Sequence, residues 1–496
     1  MEVLVRSLRL TVPPDDRYAP ELHGGSPPPL HSLAMAESSR REFIRRGVIA
    51  AGSALLAACT RRQGHVSASP PIVPNAPLVN PEGEDVLGAD TRWPIKRVVY
   101  LMLENRSFDH VFGAFPGVDG ATTGNNGGRE VPLIRCPQWL PGDLPHSFGV
   151  AGKSVNGGRM DTFALAEDSL LSALFAYSQL DRVDIPNYWH WAEEFVLCDN
   201  FFASVLGPSY PNHLFFIAGQ SGGTFDNPEN VHFIPLPGGG SYKSWGCDSP
   251  SDTFVHVRRS DGSTSRQRPC FSFETVGDQL DEAGISWGYY AAQPDQPGYF
   301  WSAYNSFPGV LETDRWAAHI RPVDALLEHI RLGALPAVTW VTPRYELSDH
   351  PPWSSSHAHN WVTDIVNGIM TSPMWRHSAI FITWDEWGGF YDHVSPPVLD
   401  ELGLGIRVPM LVISPYARRG YVDHALGEFS SPLKFVQDNW GLPHHTNRIT
   451  ATHNFAHVFD FKGRSREPSL RTKKQDASGR PYVRPKSDPT WPREFW

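Results

Sequence analysis

Ser378-Ala379-Ile380-Phe381-Ile382-Thr383-Trp384-Asp385-Glu386-Trp387-Gly388-Gly389-Phe390-Tyr391-Asp392-His393 is the stretch that decides the fold class. Its first half is a short apolar run of β-branched and aromatic residues, the pattern of a strand buried on both faces. Two adjacent carboxylates, Asp385 and Glu386, follow at once. Gly388-Gly389 then permits a sharp turn of the backbone. In open α/β sheets ligands bind beyond the carboxyl ends of the strands. A buried strand ending in Asp-Glu, with His393 a few residues on, therefore reads as a metal or acid/base site. The competing reading is an acidic surface loop.

Outward from that stretch, 97–103 is a second apolar run, and it too ends in a carboxylate: Glu104-Asn105-Arg106-Ser107-Phe108-Asp109-His110. Two strands that deliver oxygen ligands at the same end suit a hard divalent cation. Gly207-Pro208-Ser209-Tyr210-Pro211-Asn212-His213 opens with a chain break, and Pro211 fits the first turn of a helix. Ser209 then falls just before a helix N-terminus, where backbone N–H groups favour a phosphate; an N-cap role is the alternative. Asn212, three residues on, lies one turn away and would donate to the same anion. Periodicity predicts helices over 161–180, 272–284, 323–332, 361–371 and 431–440. Strands are predicted over 285–291, 337–341 and 407–414, and Asp349-His350-Pro351 places a His beyond one of them. Strands alternating with helices argue for an α/β fold around a mostly parallel sheet.

The chain has 496 residues, is 41% hydrophobic and carries a formal net charge of -10, which speaks against nucleic acid as a partner. Residues 1–34 are Pro-rich and read as a disordered extension, with Met35 as an alternative start. Arg40-Arg41 before Phe43, then the apolar run 48–58, resemble a twin-arginine export signal, too short to span as an anchor. Leu56-Ala57-Ala58-Cys59 resembles a lipobox, which would place a lipid anchor on Cys59 at a membrane surface. The expected organisation is 1–59 extension and signal, 60–94 tether, 95–462 catalytic domain with an insertion or cap at about 221–270, and 463–496 a Pro-rich basic tail. In an exported chain, Cys247 and Cys270 are the better-placed disulfide pair.

Four blocks resemble the phosphoesterase family of bacterial phospholipases C and related acid phosphatases, within the alkaline-phosphatase-like superfamily. They are Glu104-Asn105-Arg106-Ser107-Phe108-Asp109, Gly207-Pro208-Ser209-Tyr210-Pro211-Asn212, Asp349-His350-Pro351, and Asp385-Glu386 with Gly389-Phe390-Tyr391-Asp392-His393-Val394. The resemblance runs over about 97–461 and implies a three-layer fold with helices on both faces of the sheet. It implies that Glu104, Asn105, Asp385 and Glu386 hold one divalent cation together with the nucleophile Ser209. It also implies that Asn212, His146 and His350 contact the phosphoryl group, with His393 near. The implied activity is hydrolysis of phosphodiesters such as phospholipid head groups through a phosphoserine. An acid phosphatase of the same family is the alternative, favoured by Ser where phospholipases more often carry Thr. A non-catalytic lipid-anchored binding protein is the second alternative. Aromatic loops at 188–191, 289–290, 299–301 and Trp353 are candidates to seat the organic part of a substrate.

Overall fold

A computed structural model describes residues 90–473, apart from 141, 165–169, 237–238 and 353–354. The signal, lipobox, most of the tether and Trp353 lie outside the described residues. At the centre is an eight-stranded sheet. Its strands are β1 Arg97–Leu103, β2 Val196–Cys198, β3 Trp287–Ala291, β4 Ile320–Pro322, β5 Val338–Val341, β6 Ser378–Trp384, β7 Met410–Ile413 and β8 Tyr421–Asp423. They lie in the order β4-β3-β5-β1-β6-β7-β2-β8. Five pairings are parallel, whereas β7 runs antiparallel to both β6 and β2, so the sheet is mixed.

β1 and β6 are buried at every position because their residues are apolar on both faces. One face carries Tyr100, Trp340 and Phe381. Tyr100 meets Phe216 on helix α3 (Ser209–Ala218), with ring centroids 4.4 Å apart. Phe381 meets Phe435 on α5 (Ser430–Trp440) at 5.5 Å. The indole of Trp340 donates to Phe216 O at 3.0 Å, which removes the cost of burying its N–H. Trp384 points to the opposite face, edge-on to Tyr188 of α2 (Pro186–Glu194), and Tyr188 meets His359 of α4 (Ser355–Thr371). Helices on both faces make three layers. A short α1 (Phe108–Phe112) follows β1, its first turn capped by Ser107.

Residues 221–270 contain two short hairpins, Ile234–Pro235 with Ser241–Tyr242 and Val255–Arg258 with Thr264–Gln267. Cys247 and Cys270 form the expected disulfide, while Cys136 and Cys198 are buried free thiols. The predicted 161–180 helix appears, within the described residues, as Leu170–Ala176. The first part of the expected tail is held against the domain. Arg466 donates to Glu194 O and Ala417 O, and Asn367 bonds both backbone groups of Arg471. No helix among the described residues is long and apolar enough to cross a membrane.

Candidate active site

β1 and β6 run in register from Arg97↔Ser378 to Leu103↔Trp384, so their next residues, Glu104 and Asp385, leave the sheet side by side. Asp385 N–H continues the ladder onto Leu103 O at 2.9 Å, and Glu104 N–H donates to Ser348 O at 2.8 Å. The second bond draws in the connection after β5, which carries His350. Three neighbouring strands thus bring three connections together at one end of the sheet.

Asn105 has φ 62°, a left-handed conformation that Asn tolerates better than most residues. Its N–H donates to Asp385 Oδ1 at 2.8 Å, which holds the conformation. Gly388 must be glycine: its φ is 63°, and an added Cβ would sit 2.3 Å from Asn105 O. Gly389 approaches Leu144 so closely that a Cβ would stand 2.5 Å from the Leu144 Cβ. This contact packs the 143–146 loop, with His146, over the carboxylates.

Glu104, Asn105, Asp385 and Glu386 are all fully buried. One oxygen of each, Glu104 Oε2, Asn105 Oδ1, Asp385 Oδ2 and Glu386 Oε1, accepts no hydrogen bond. Unpartnered buried oxygens are costly, and buried carboxylates more so. Burial, then the charges of Asp385 and Glu386, push the Glu104 carboxyl well above its ordinary range, while the Ser209 hydroxyl pulls the other way. Burial likewise raises Glu386. Such an oxygen set fits a hard divalent cation, whose charge would let all three carboxylates ionise together.

Ser209 is the first residue of α3, buried, and opens onto a cavity of about 290 Å³ that His146 and His350 also line. The helix end offers fewer N–H groups than expected. Asn227 Oδ1 accepts the Tyr210 N–H at 2.9 Å and Pro211 has none, so Ser209 itself remains. Asn212 departs from its predicted role. Its Oδ1 accepts the Val205 N–H, and its amide faces the carbonyls of Val205, Gly207 and Pro208. Both polar atoms of the Asn212 side chain are thus bonded to the loop that precedes Ser209.

His146 Nδ1–H donates to Leu144 O at 2.5 Å, and its Nε2 lies 3.1 Å from the Asn105 amide nitrogen. Burial pulls this ring down, but Glu386 and then Asp143 outweigh it and hold it at about 9. A cation among the carboxylates would cancel much of that pull. His350 Nδ1–H donates to Pro351 O, again at 2.5 Å, which turns Nε2 toward Asp143, 3.8 Å away. Burial lowers His350, against the pull of Asp143.

His393 lies elsewhere. Its Nδ1 is 2.6 Å from Asp109 Oδ2, in a cluster with Asp392 and Arg407. The Gly388-Gly389 turn sends the chain away from the carboxylates before His393 is reached.

Two residues were missed. His213 Nε2 donates to Glu104 Oε1 at 2.9 Å and lies 3.9 Å from Asp385 Oδ2. It is four residues after Ser209, the spacing that stacks side chains on one helix face, so the signal was present. Asp143 stands 3.8 Å from both His146 and His350 and carried no recognisable motif. Of the aromatic candidates, Phe300 and Trp301 line the cavity, whereas Tyr188, Trp191, Tyr289 and Tyr290 are core.

The profile of the Phosphoesterase family matches residues 95–443. The chain belongs to this family. It is 26% identical over 463 residues to the non-hemolytic phospholipase C of Burkholderia pseudomallei, covering 81% of this chain and 61% of that protein. To the hemolytic phospholipase C of Pseudomonas aeruginosa it is 24% identical over 526 residues, 90% of this chain and 66% of the relative. Phospholipase C B of Mycobacterium tuberculosis is 26% identical over 420 residues, 70% and 74% of the two chains. The chain therefore spans less than two thirds of the length of the first two relatives. Among solved structures it is similar to a protein in the alkaline phosphatase superfamily from Vibrio parahaemolyticus, with TM-score 0.34 and 11% identity over 75% of this chain and 74% of that one.

Proposed function

We propose that this protein is an exported, metal-dependent hydrolase of phosphoric diesters, of the phospholipase C type, with Ser209 as nucleophile. The observation that carries the reading is a set of buried oxygens without a donor, on Glu104, Asn105, Asp385 and Glu386 just beyond the ends of β1 and β6, with Glu104 and Asp385 within 4.8 Å of each other, together with a Ser at a helix start that faces a cavity. These four residues, with Ser209, would hold one divalent cation. A cation held there would lower the pKa of the Ser209 hydroxyl and neutralise phosphoryl charge. The Ser209 oxygen attacks phosphorus as the ester O–P bond breaks. His350, which lines the same cavity, takes up the Ser209 proton and delivers it to the departing alkoxide. Water then attacks the phosphoserine, releasing the phosphate product and restoring the hydroxyl. His213 fixes Glu104 by one oxygen and leaves the other for the cation.

The preference for diesters rests on the cavity wall. Trp245, Phe300, Trp301 and Tyr345 contribute rings, and Lys243 is the only Lys or Arg among the described lining residues. A monoesterase gains from added positive groups for the extra phosphate charge, whereas a diesterase must accept a second organic group. Export and anchoring at Cys59 rest on the sequence pattern.

Ser209→Ala should abolish turnover of p-nitrophenyl phosphorylcholine while leaving the fold intact, and the unaltered protein should yield a trapped phosphoserine at residue 209 by mass spectrometry. Retained turnover in the variant, with no phosphoserine, would overturn the assignment. A higher kcat/KM for p-nitrophenyl phosphate at acid pH would indicate an acid phosphatase instead.

A further inference from the structure

A second cavity, of about 280 Å³, borders the aromatic wall of the one over Ser209. Lys243 and Phe300 line both, and the further walls of the second include Phe233, Leu236, Tyr242 and Tyr299. One side is the hairpin Ile234–Pro235 with Ser241–Tyr242, and the other is the 294–300 loop. The two sides are tied together. Tyr242 stands edge-on to Tyr299 at 5.5 Å, and Trp245 packs on Phe300 at 4.6 Å. Tyr299 Oη donates to Asp248 Oδ2 at 2.8 Å. The disulfide Cys247–Cys270 closes the base of the insertion, and Gly246 approaches Asn305 so closely that a Cβ would stand 2.2 Å from its carbonyl oxygen. These contacts build the walls before any ligand arrives.

Among the described lining residues, Ser241, Asp295 and Gln296 are the polar ones besides Lys243 and the hydroxyls of Tyr242 and Tyr299, and the rest is carbon or glycine backbone. Phe233 is 41% exposed, a large apolar side chain left open to water at the mouth of the cleft. Lys243 Nζ lies 4.6 Å from the Phe233 ring centre, and Lys243 lines both cavities, so its positive charge borders each of them. That arrangement suits an ester with its phosphoryl group at Ser209, anionic oxygen near Lys243 and hydrocarbon beyond. We propose, on the phosphoesterase reading above, that the second cavity receives the apolar substituent of the substrate and sets selectivity for its chain length.

The test uses soluble phosphatidylcholines with four-, five- and six-carbon acyl chains, kept monomeric, with p-nitrophenyl phosphorylcholine as the chainless reference. For the unaltered protein kcat/KM should rise about fourfold per chain carbon buried, the scale set by burying one methylene. Ser241→Trp, which fills the cavity, should flatten the series to under about 1.5-fold per carbon. Turnover of the chainless reference should stay within about twofold, because Ser241 is outside the Ser209 cavity. Phe233→Ser, at an exposed position, should weaken the dependence in the same direction and serves if the bulkier variant fails to fold. A flat series in the unaltered protein, or an unchanged slope in the variants, would overturn the chain subsite while leaving the hydrolase reading intact. No turnover of either substrate class would overturn both.

Discussion

Two acidic clusters hang from the same two connections. After β1 come Glu104 and Asn105, then Asp109; after β6 come Asp385 and Glu386, then Asp392 and His393. The carboxylates of both clusters are fully buried. In the outer cluster every carboxylate oxygen is met by a protein donor. Asp109 accepts from Ala121 N, Arg407, and both the backbone and ring of His393. Asp392 accepts from Asp109 N, Val394 N and Arg407 Nε. In the inner cluster four oxygens have no donor, and no Lys or Arg among the described residues pairs with it. A buried acid that the protein neutralises is a girder. One left unneutralised requires a charge from outside. The outer cluster therefore braces the loops from which the inner one is built.

The two kinds of cluster should respond oppositely to mutation. The largest effect is expected for Glu104→Gln or Asp385→Asn, which should lower kcat/KM by about 10³-fold or more through loss of the cation. The same variants should be as stable as the unaltered protein in EDTA, or more so, because one buried like charge is gone. The unaltered protein should gain about 2.7 kcal/mol when a suitable cation is present at a hundred times its Kd, and the variants should gain little. Elemental analysis and thermal unfolding with and without EDTA read both. Full activity in verified metal-free protein would remove the distinction between the clusters. Next in size, Arg407→Met should cost about 3–5 kcal/mol in urea unfolding, because it strands Asp109 and Asp392. Cation affinity of the folded fraction should change little. A large loss of cation binding without loss of stability would show that Arg407 serves the inner site.

The contrast also explains what could be read from the sequence. β1 and β6 were legible because apolar runs buried on both faces leave few alternatives, and their register then places Glu104 next to Asp385. The three-residue strands Val196–Cys198, Ile320–Pro322 and Tyr421–Asp423 were not: so few residues show no period, and distant partners decide the pairing. Nothing in Met410–Ile413 encodes that it runs antiparallel to its neighbours. At the site, residue type was legible and commitment was not. Asn212 has the chemistry of an anion donor, yet carbonyls of its own loop occupy it. His393 follows Glu386 closely in sequence, but two glycines and Arg407 place it in the outer cluster. Which oxygens remain unpartnered depends on every neighbour at once, so it is visible only in three dimensions.

The smallest expected effect concerns the one titrating ring of the outer cluster. Burial pulls His393 down, but its bond to Asp109 and the charges of Asp109 and Asp392 outweigh that and the opposing Arg407, holding it at about 9. Asp119 faces its other nitrogen at 3.2 Å. The folded state thus binds this proton more tightly than the unfolded chain, whose imidazole has its ordinary value near 6.5. The resulting stabilisation is fully present below pH ~6.5 and is lost as the pH rises through about 9. The ring is 29% exposed, so solvent screening reduces the effect to roughly 1–2 kcal/mol. His393→Asn should therefore be less stable than the unaltered protein at pH 6, and the gap should close by pH ~9.5. Comparing the pair by urea unfolding at both pH values cancels the other groups that titrate in that window. Catalytic turnover, normalised to folded protein, should show no matching change, because His393 is bonded to the girder and not to the cation site. A turnover profile that followed the His393 titration would join the two clusters into one functional unit.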